Sequence, residues 1–368
     1  MFDKGTIQIA KVAGIPIRLH WSFLLIFVWV GYNAWIENMP WQGFLFLQFY
    51  VLILFLCVVL HEYGHALTAR RFGNKTRDIL LTPIGGIARL ESFSEKPIQE
   101  LLIAIAGPAV NFAIVILIGI YLFTIGGYSF SNMGMFFSPE FWKYNNDFLP
   151  LILKSNLILG LFNFIPAFPM DGGRIFRALL SFRWPRLKST MIAARLGQMC
   201  AIGFLIYAVS EGHWMLCLVG FFIFITAGSE LKQAKWESVL DKYTAAEVMD
   251  RNINKIQIQD SMQVPMDQAS KGIETNYLVY QGDFFAGVLP YNRIVFCIKN
   301  DLGNQPVHKI MSTHWNQTNI HDSLKTIFHQ MQTSGINLVP VVDEGKVVGV
   351  LEDNQIKRFV ELKLNPEI

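Results

Sequence analysis

The chain has 368 residues and a formal net charge of only +3, with 52% hydrophobic residues, 16% charged residues and a mean hydropathy of +0.35. That composition excludes an ordinary soluble domain, and the near-balanced charge excludes nucleic-acid binding as the main task, because that needs a concentrated basic face. Charge is unevenly spread, with 29 charged residues in positions 1–230 and 30 in the much shorter stretch 231–368, so a membrane part precedes a water-exposed part. Cys57, Cys200 and Cys217 lie in apolar runs and Cys297 lies far downstream, which leaves no CxxC pair and no disulfide framework.

Six stretches are apolar over about the 20 residues that a helix needs to cross roughly 30 Å of hydrocarbon. The first, 19–36, has too long an apolar run and too bulky an exit, Ala34-Trp35-Ile36-Glu37, for a cleaved signal peptide. The second, 44–69, ends in Leu60-His61-Glu62-Tyr63-Gly64-His65-Ala66, an HExxH string inside an apolar helix. Residues four apart project within about 40° of each other, so His61 and His65 can offer two imidazole nitrogens to one zinc ion. Glu62 projects about 100° away, which suits a group that works on the attacking water rather than on the metal. Three fixed letters in five also arise by chance. That alternative must explain three ionisable residues in a membrane span, where each is costly unless used.

A catalytic zinc site needs a third protein ligand. The third span covers 101–121; the fourth, 149–166, runs into the best candidate segment, Asn163-Phe164-Ile165-Pro166-Ala167-Phe168-Pro169-Met170-Asp171-Gly172-Gly173-Arg174. Pro166 and Pro169 break the helix and the glycine pair allows a sharp bend. Broken helix at membrane depth is tolerated only inside protein or beside a watery cavity, which brings Asp171 towards a site within the bundle. The alternative is a carboxylate capping the helix that starts near Gly172. Both motifs end just before basic residues; at 1.5 Å per residue His61 lies about 13 Å from Arg70 along the helix.

Spans five and six cover 191–210 and 214–228. Lys4, Lys11 and Arg18, then Arg70, Arg71, Lys75, Arg77, Arg89 and Lys96, then Arg174, Arg177, Arg183, Arg186, Lys188 and Arg195 all fall on one side, against Lys143 and Lys154 on the other. Basic loops stay in the cytoplasm, so both chain ends are expected there, with the site submerged towards the cytoplasmic face of a cell membrane crossed several times. A polar linker over 231–243 precedes an internal repeat of constant offset: Met249 matches Met311, Asp260 matches Asp322, and Gly287-Val288-Leu289 matches Gly349-Val350-Leu351. Each copy, 244–305 and 306–368, reads as a helix, two strands around a tight turn, and a second helix.

The HExxH in a membrane span and the Asn-x-x-Pro-x-x-Pro-x-Asp-Gly segment together resemble the site-2 proteases, intramembrane zinc metalloproteases. Gly14-Ile15-Pro16-Ile17-Arg18-Leu19-His20-Trp21, Pro83-Ile84-Gly85-Gly86-Ile87-Ala88 and Ala106-Gly107-Pro108-Ala109-Val110-Asn111 fit as well. The resemblance covers roughly residues 5–230. It implies a polytopic α-helical membrane protein of about six transmembrane helices with a broken helix at the zinc site, one Zn2+ per chain held by His61, His65 and Asp171, and Glu62 as catalytic base. It also implies a short strand or re-entrant loop over 83–90, including Gly85 and Gly86, that pairs with unwound substrate. An unwound helix exposes unpaired backbone groups, and pairing with a sheet edge satisfies them.

Asn163 is the candidate to stabilise the oxyanion or grip substrate, against the reading that it satisfies carbonyls freed by the prolines. Asn111 is a candidate for substrate support, weighed against close packing by small residues around Gly107 and Pro108. His20 reads as structural. The expected substrates are transmembrane segments of single-span proteins or signal-peptide remnants, cut near the cytoplasmic face.

The repeat resembles a cytoplasmic α/β tandem pair of CBS domains, which implies adenine-nucleotide binding and regulation of the attached domain, or a dimerising module. Pro290 and Arg293 in the first copy, and Glu352 and Gln355 in the second, stand where nucleotide-binding copies carry Thr or Ser and Asp. Two other readings compete with the protease: a CBS-regulated transporter or channel whose buried His and Asp line an ion path, and an inactive protein that only holds membrane helices.

Overall fold

The computed structural model describes residues 5–83, 85–90, 96–127, 148–252, 254–273 and 276–365. The chain divides into two compact units, Met1–Leu231 and Lys232–Ile368.

The first unit opens with a sheet. Strands β1 (Thr6–Val12) and β2 (Ile15–His20) form a hairpin whose two connecting residues, Ala13 and Gly14, both have positive φ, which matches the twist of the strands they join. β2 pairs in parallel with β3 (Thr76–Thr82), and β3 pairs antiparallel with β4 (Gly85–Leu90), for the order β1-β2-β3-β4. β4 lies within the strand expected over 83–90, of which Ile84 is outside the described residues. The other three strands were not expected: six or seven residues beside long apolar runs carry too little periodicity to stand out. Asp78 of β3 is fully buried and pairs with Arg18 of β2 and Arg89 of β4, tying three strands together.

His20 accepts the Ser22 N–H and so caps a 3-10 turn, Trp21–Phe23, that leads into α1 (Leu24–Ile36). There follow α2 (Trp41–Arg71), α3 (Pro97–Thr124), α4 (Phe148–Asn163), α5 (Asp171–Ser181), α6 (Arg186–Ser210) and α7 (Trp214–Lys242). Among the described residues α2, α3, α6 and α7 are long and apolar enough to cross a membrane; α1 with its turn and the 16-residue α4, the other two expected spans, are shorter apolar helices. Lys154 lies within α4 rather than in a loop, while Lys4 and Lys143 lie outside the described residues. The expected linker over 231–243 is helical almost throughout, because α7 continues to Lys242.

α3 packs on α2, α4 and α5, and α5 packs on α6. On its other side α2 carries the sheet, where Ile15, Ile17, Ile79 and Leu81 close over Phe23, Val59, Tyr63 and Ala66. The Tyr63 hydroxyl reaches the Val12 and Ile15 carbonyl oxygens at the hairpin turn. Gly64 admits α3, since a Cβ there would stand 2.5 Å from the Ala106 carbonyl oxygen.

The second unit holds the repeat. After the short α8 (Ala245–Val248), β5 (Lys255–Gln257) pairs in parallel with β6 (Tyr277–Gln281), which turns through Gly282 into antiparallel β7 (Phe284–Leu289). Helices α9 (Gln263–Ser270) and α10 (Tyr291–Lys299) precede and follow that hairpin. β8 (Thr318–Asn319), α11 (Leu324–Ser334), β9 (Leu338–Asp343), β10 (Lys346–Glu352) and α12 (Asp353–Leu364) repeat the order. Helix, hairpin and helix match the expectation; the short parallel strands β5 and β8 are additional. The two cores exchange their leading segments. Leu240, Ala245, Val248 and Met249 pack with Leu324, Ile327, Val341 and Val360, whereas Val307, Ile310 and Met311 pack with Ile256, Val279, Leu289 and Ile294.

Candidate functional site

His61 and His65 lie one turn apart on α2, and both are buried. Their Nε2 atoms are 3.1 Å apart, and the Asp171 Oδ2 lies 3.2 Å from the first and 3.1 Å from the second. Three donor atoms from two distant stretches of chain therefore form a nearly equilateral triangle. Asp171 is the first residue of α5; the cap position belongs to Met170, and the Asp171 carboxylate reaches the imidazoles instead of capping the helix. Gly172 permits this placement through close approach rather than unusual φ, for a Cβ there would stand 2.2 Å from the Ile165 carbonyl oxygen.

Behind the triangle each imidazole spends its other nitrogen on an oxygen. His61 Nδ1 meets Asn111 Oδ1, and His65 Nδ1 meets the Ile103 carbonyl 2.7 Å away, both on α3. A ring nitrogen facing a carbonyl oxygen must carry the hydrogen, which leaves an Nε2 lone pair on each neutral ring. Two lone pairs and a carboxylate oxygen then converge with no donor among them, an arrangement that is repulsive on its own and calls for a cation at its centre. Tetrahedral zinc with bonds of about 2.0–2.1 Å places its ligands about 3.3–3.4 Å apart, close to the spacing found. Gly107 forms one wall: a Cβ there would stand 2.2 Å from His65 Nε2 and 2.8 Å from His61 Nε2. Space, donor type and spacing all fit the metal.

Glu62, the next residue on α2, turns to the sheet. Its Oε2 accepts the Ala88 N–H of β4 at 2.9 Å. Gly86 makes the approach possible, since a Cβ would stand 2.8 Å from Glu62 Cγ, and Gly85 adopts φ +138°, open to glycine. β4 is the last strand of its sheet, so its far edge has no strand partner among the described residues.

The remaining expected residues fall differently. Asn111, taken as a substrate or oxyanion contact, is fully buried behind His61 with its amide nitrogen on Asn156 Oδ1, so it has no face left for substrate. Asn163 ends α4, half-buried, and its side chain bonds no other described residue. Asn156 was missed, although an amide in the middle of span four was the available signal. In the second unit Arg293 donates to the Ile310 and Met311 carbonyls, Gln355 donates to the Val248 carbonyl, and Glu352 accepts from Asn276 Nδ2. Pro290 is the cap residue of α10.

The family model for peptidase family M50 matches residues 49–204, and that for the CBS domain matches residues 307–362. A zinc metalloprotease of Methanocaldococcus jannaschii is 32% identical over 99% of this chain and 98% of its own length. The chain belongs to peptidase family M50, the site-2 proteases. By class it is a zinc metalloendopeptidase with CBS domains at its C-terminal end. Stage IV sporulation protein FB of Bacillus subtilis is 27% identical over 46% of this protease and 51% of its own length. The solved site-2 protease from M. jannaschii is 38% identical, covering 61% of this protease and 95% of that chain at a TM-score of 0.45.

Proposed function

We propose that the protein hydrolyses peptide bonds within or next to transmembrane segments of single-span membrane proteins or signal-peptide remnants, with one zinc ion held by His61, His65 and Asp171. The observation that carries this reading is the convergence of two imidazole lone pairs and a carboxylate oxygen beside Glu62. A zinc ion there supplies Lewis-acid polarisation of the scissile carbonyl and makes water acidic enough to attack at neutral pH. Glu62 takes the proton from the attacking water on its carboxylate and delivers it to the leaving amine. The unwound substrate lies along the free edge of β4, where main-chain groups satisfy one another, and Asn163 at the end of α4 offers its amide to the developing oxyanion.

The chain crosses the membrane six times with both ends in the cytoplasm, and the site lies towards that face; the one-sided distribution of Lys and Arg supports this. The CBS pair acts as a packing or dimerising module rather than a nucleotide sensor. The side chains of Arg293, Glu352 and Gln355, standing where nucleotide-binding copies carry Thr, Ser or Asp, are spent on internal hydrogen bonds. Titration of the full-length protein with AMP and ATP tests this, and binding heat at micromolar nucleotide would overturn it.

For the protease itself, purified wild type should hold zinc, and H61A and D171A should not. Co-expression with a panel of single-span proteins should give cleavage that falls at least about 10²-fold in E62Q while zinc is retained. Cleavage that persists in E62Q, or zinc that persists in D171A, would sink the assignment.

A further inference from the structure

We infer that Asn111 and Asn156 form a positioning relay that selects the metal-binding tautomer of His61, an inference that rests on the zinc reading above. The reasoning starts at a main-chain carbonyl, which can only accept. Asn156 Nδ2 donates to the Ile152 carbonyl of its own helix at 2.9 Å, and that bond fixes which end of the Asn156 amide is which. Its Oδ1 therefore faces Asn111 and must receive a donor, which Asn111 Nδ2 supplies at 2.9 Å. Asn111 is thereby turned with its Oδ1 towards His61 Nδ1, and the ring must place its hydrogen there. Both asparagines are fully buried, so neither amide has water to turn to.

Without Asn156 the Asn111 amide is free to rotate by half a turn. It would then present NH2 to Nδ1 and drive the hydrogen to Nε2, the atom that faces Asp171 and His65. Both tautomers are neutral, so the effect concerns direction rather than charge. His65 has no such relay, because the Ile103 carbonyl it faces cannot rotate. The relay thus carries order from the backbone of α4 through α3 to a ligand on α2, and it explains a pair of fully buried amides between two helices.

N156L should lower zinc affinity by about 10–100-fold, measured by chelator competition. Adding N111D to that variant should restore most of the loss, because a carboxylate can only accept and so imposes the same tautomer without Asn156. A purely structural role predicts the reverse, since a second substitution that adds a charge beside a disrupted site makes matters worse. N156L with wild-type zinc affinity, or a double variant no better than the single one, overturns the relay. In case N156L does not fold, nitrogen-15 histidine shifts of the metal-free wild type decide independently: His61 should be the Nδ1–H tautomer, and a dominant Nε2–H form would refute the inference. Wild type that binds no zinc would instead remove the reading on which the relay rests.

Discussion

At Gly107 the absence of a side chain does as much for the proposed metal site as the side chains that line it. The sequence admits close helix packing as the reason for this glycine, but the neighbours it faces are the imidazoles of His61 and His65, and a methyl group would stand 2.2 Å from one of them. G107A should therefore lose at least about tenfold in zinc affinity while His61, His65, Asp171 and Glu62 all remain, a result readable as metal content of purified protein. His61, Glu62 and His65 stood out in the sequence as ionisable groups in an apolar helix, and Asp171 as the carboxylate that follows the break at Pro166 and Pro169. The reach of Asn111 was misjudged for the opposite reason: an Asn in a helix reads alike whether it faces substrate or the back of a ligand, and only the three-dimensional neighbours distinguish the two.

The elements position these groups through contacts between backbones. α5 brings Asp171 in because Gly172 lies against the carbonyls of Phe164 and Ile165 at the broken end of α4. G172A should cost about 1–3 kcal/mol through overpacking and should lower zinc occupancy as the start of α5 is pushed away. The unfolding midpoint in detergent and the metal content check both effects. The sheet depends on Asp78, whose carboxylate is wholly buried while Arg18 and Arg89 remain partly exposed. D78A should destabilise the sheet by about 2 kcal/mol, less than a fully buried pair would cost, and protease nicking near β4 should rise. The long helices were legible from hydropathy, whereas β1 to β3 were not, because their pairing is settled by α2 and not by their own short alternation.

On the scale of the molecule, the CBS repeat was legible as a constant offset, yet a boundary drawn between its copies cuts both cores. Leu240 to Met249 complete the second copy, and Val307 to Met311 complete the first. A fragment of residues 306–368 should accordingly show no cooperative unfolding, while 232–368 should unfold in a single transition followed by circular dichroism. The first unit has its own point of convergence in one turn of α2. His61 and His65 face the carboxylate from α5, Glu62 meets β4, Tyr63 holds the hairpin and Gly64 admits α3. The two letters that HExxH leaves open are closed in this chain. Substitution at any of positions 61 to 65 should thus carry a cost, with four causes among the five: the proposed ion site at 61 and 65, the proposed base at 62, the strands at 63 and the helix contact at 64.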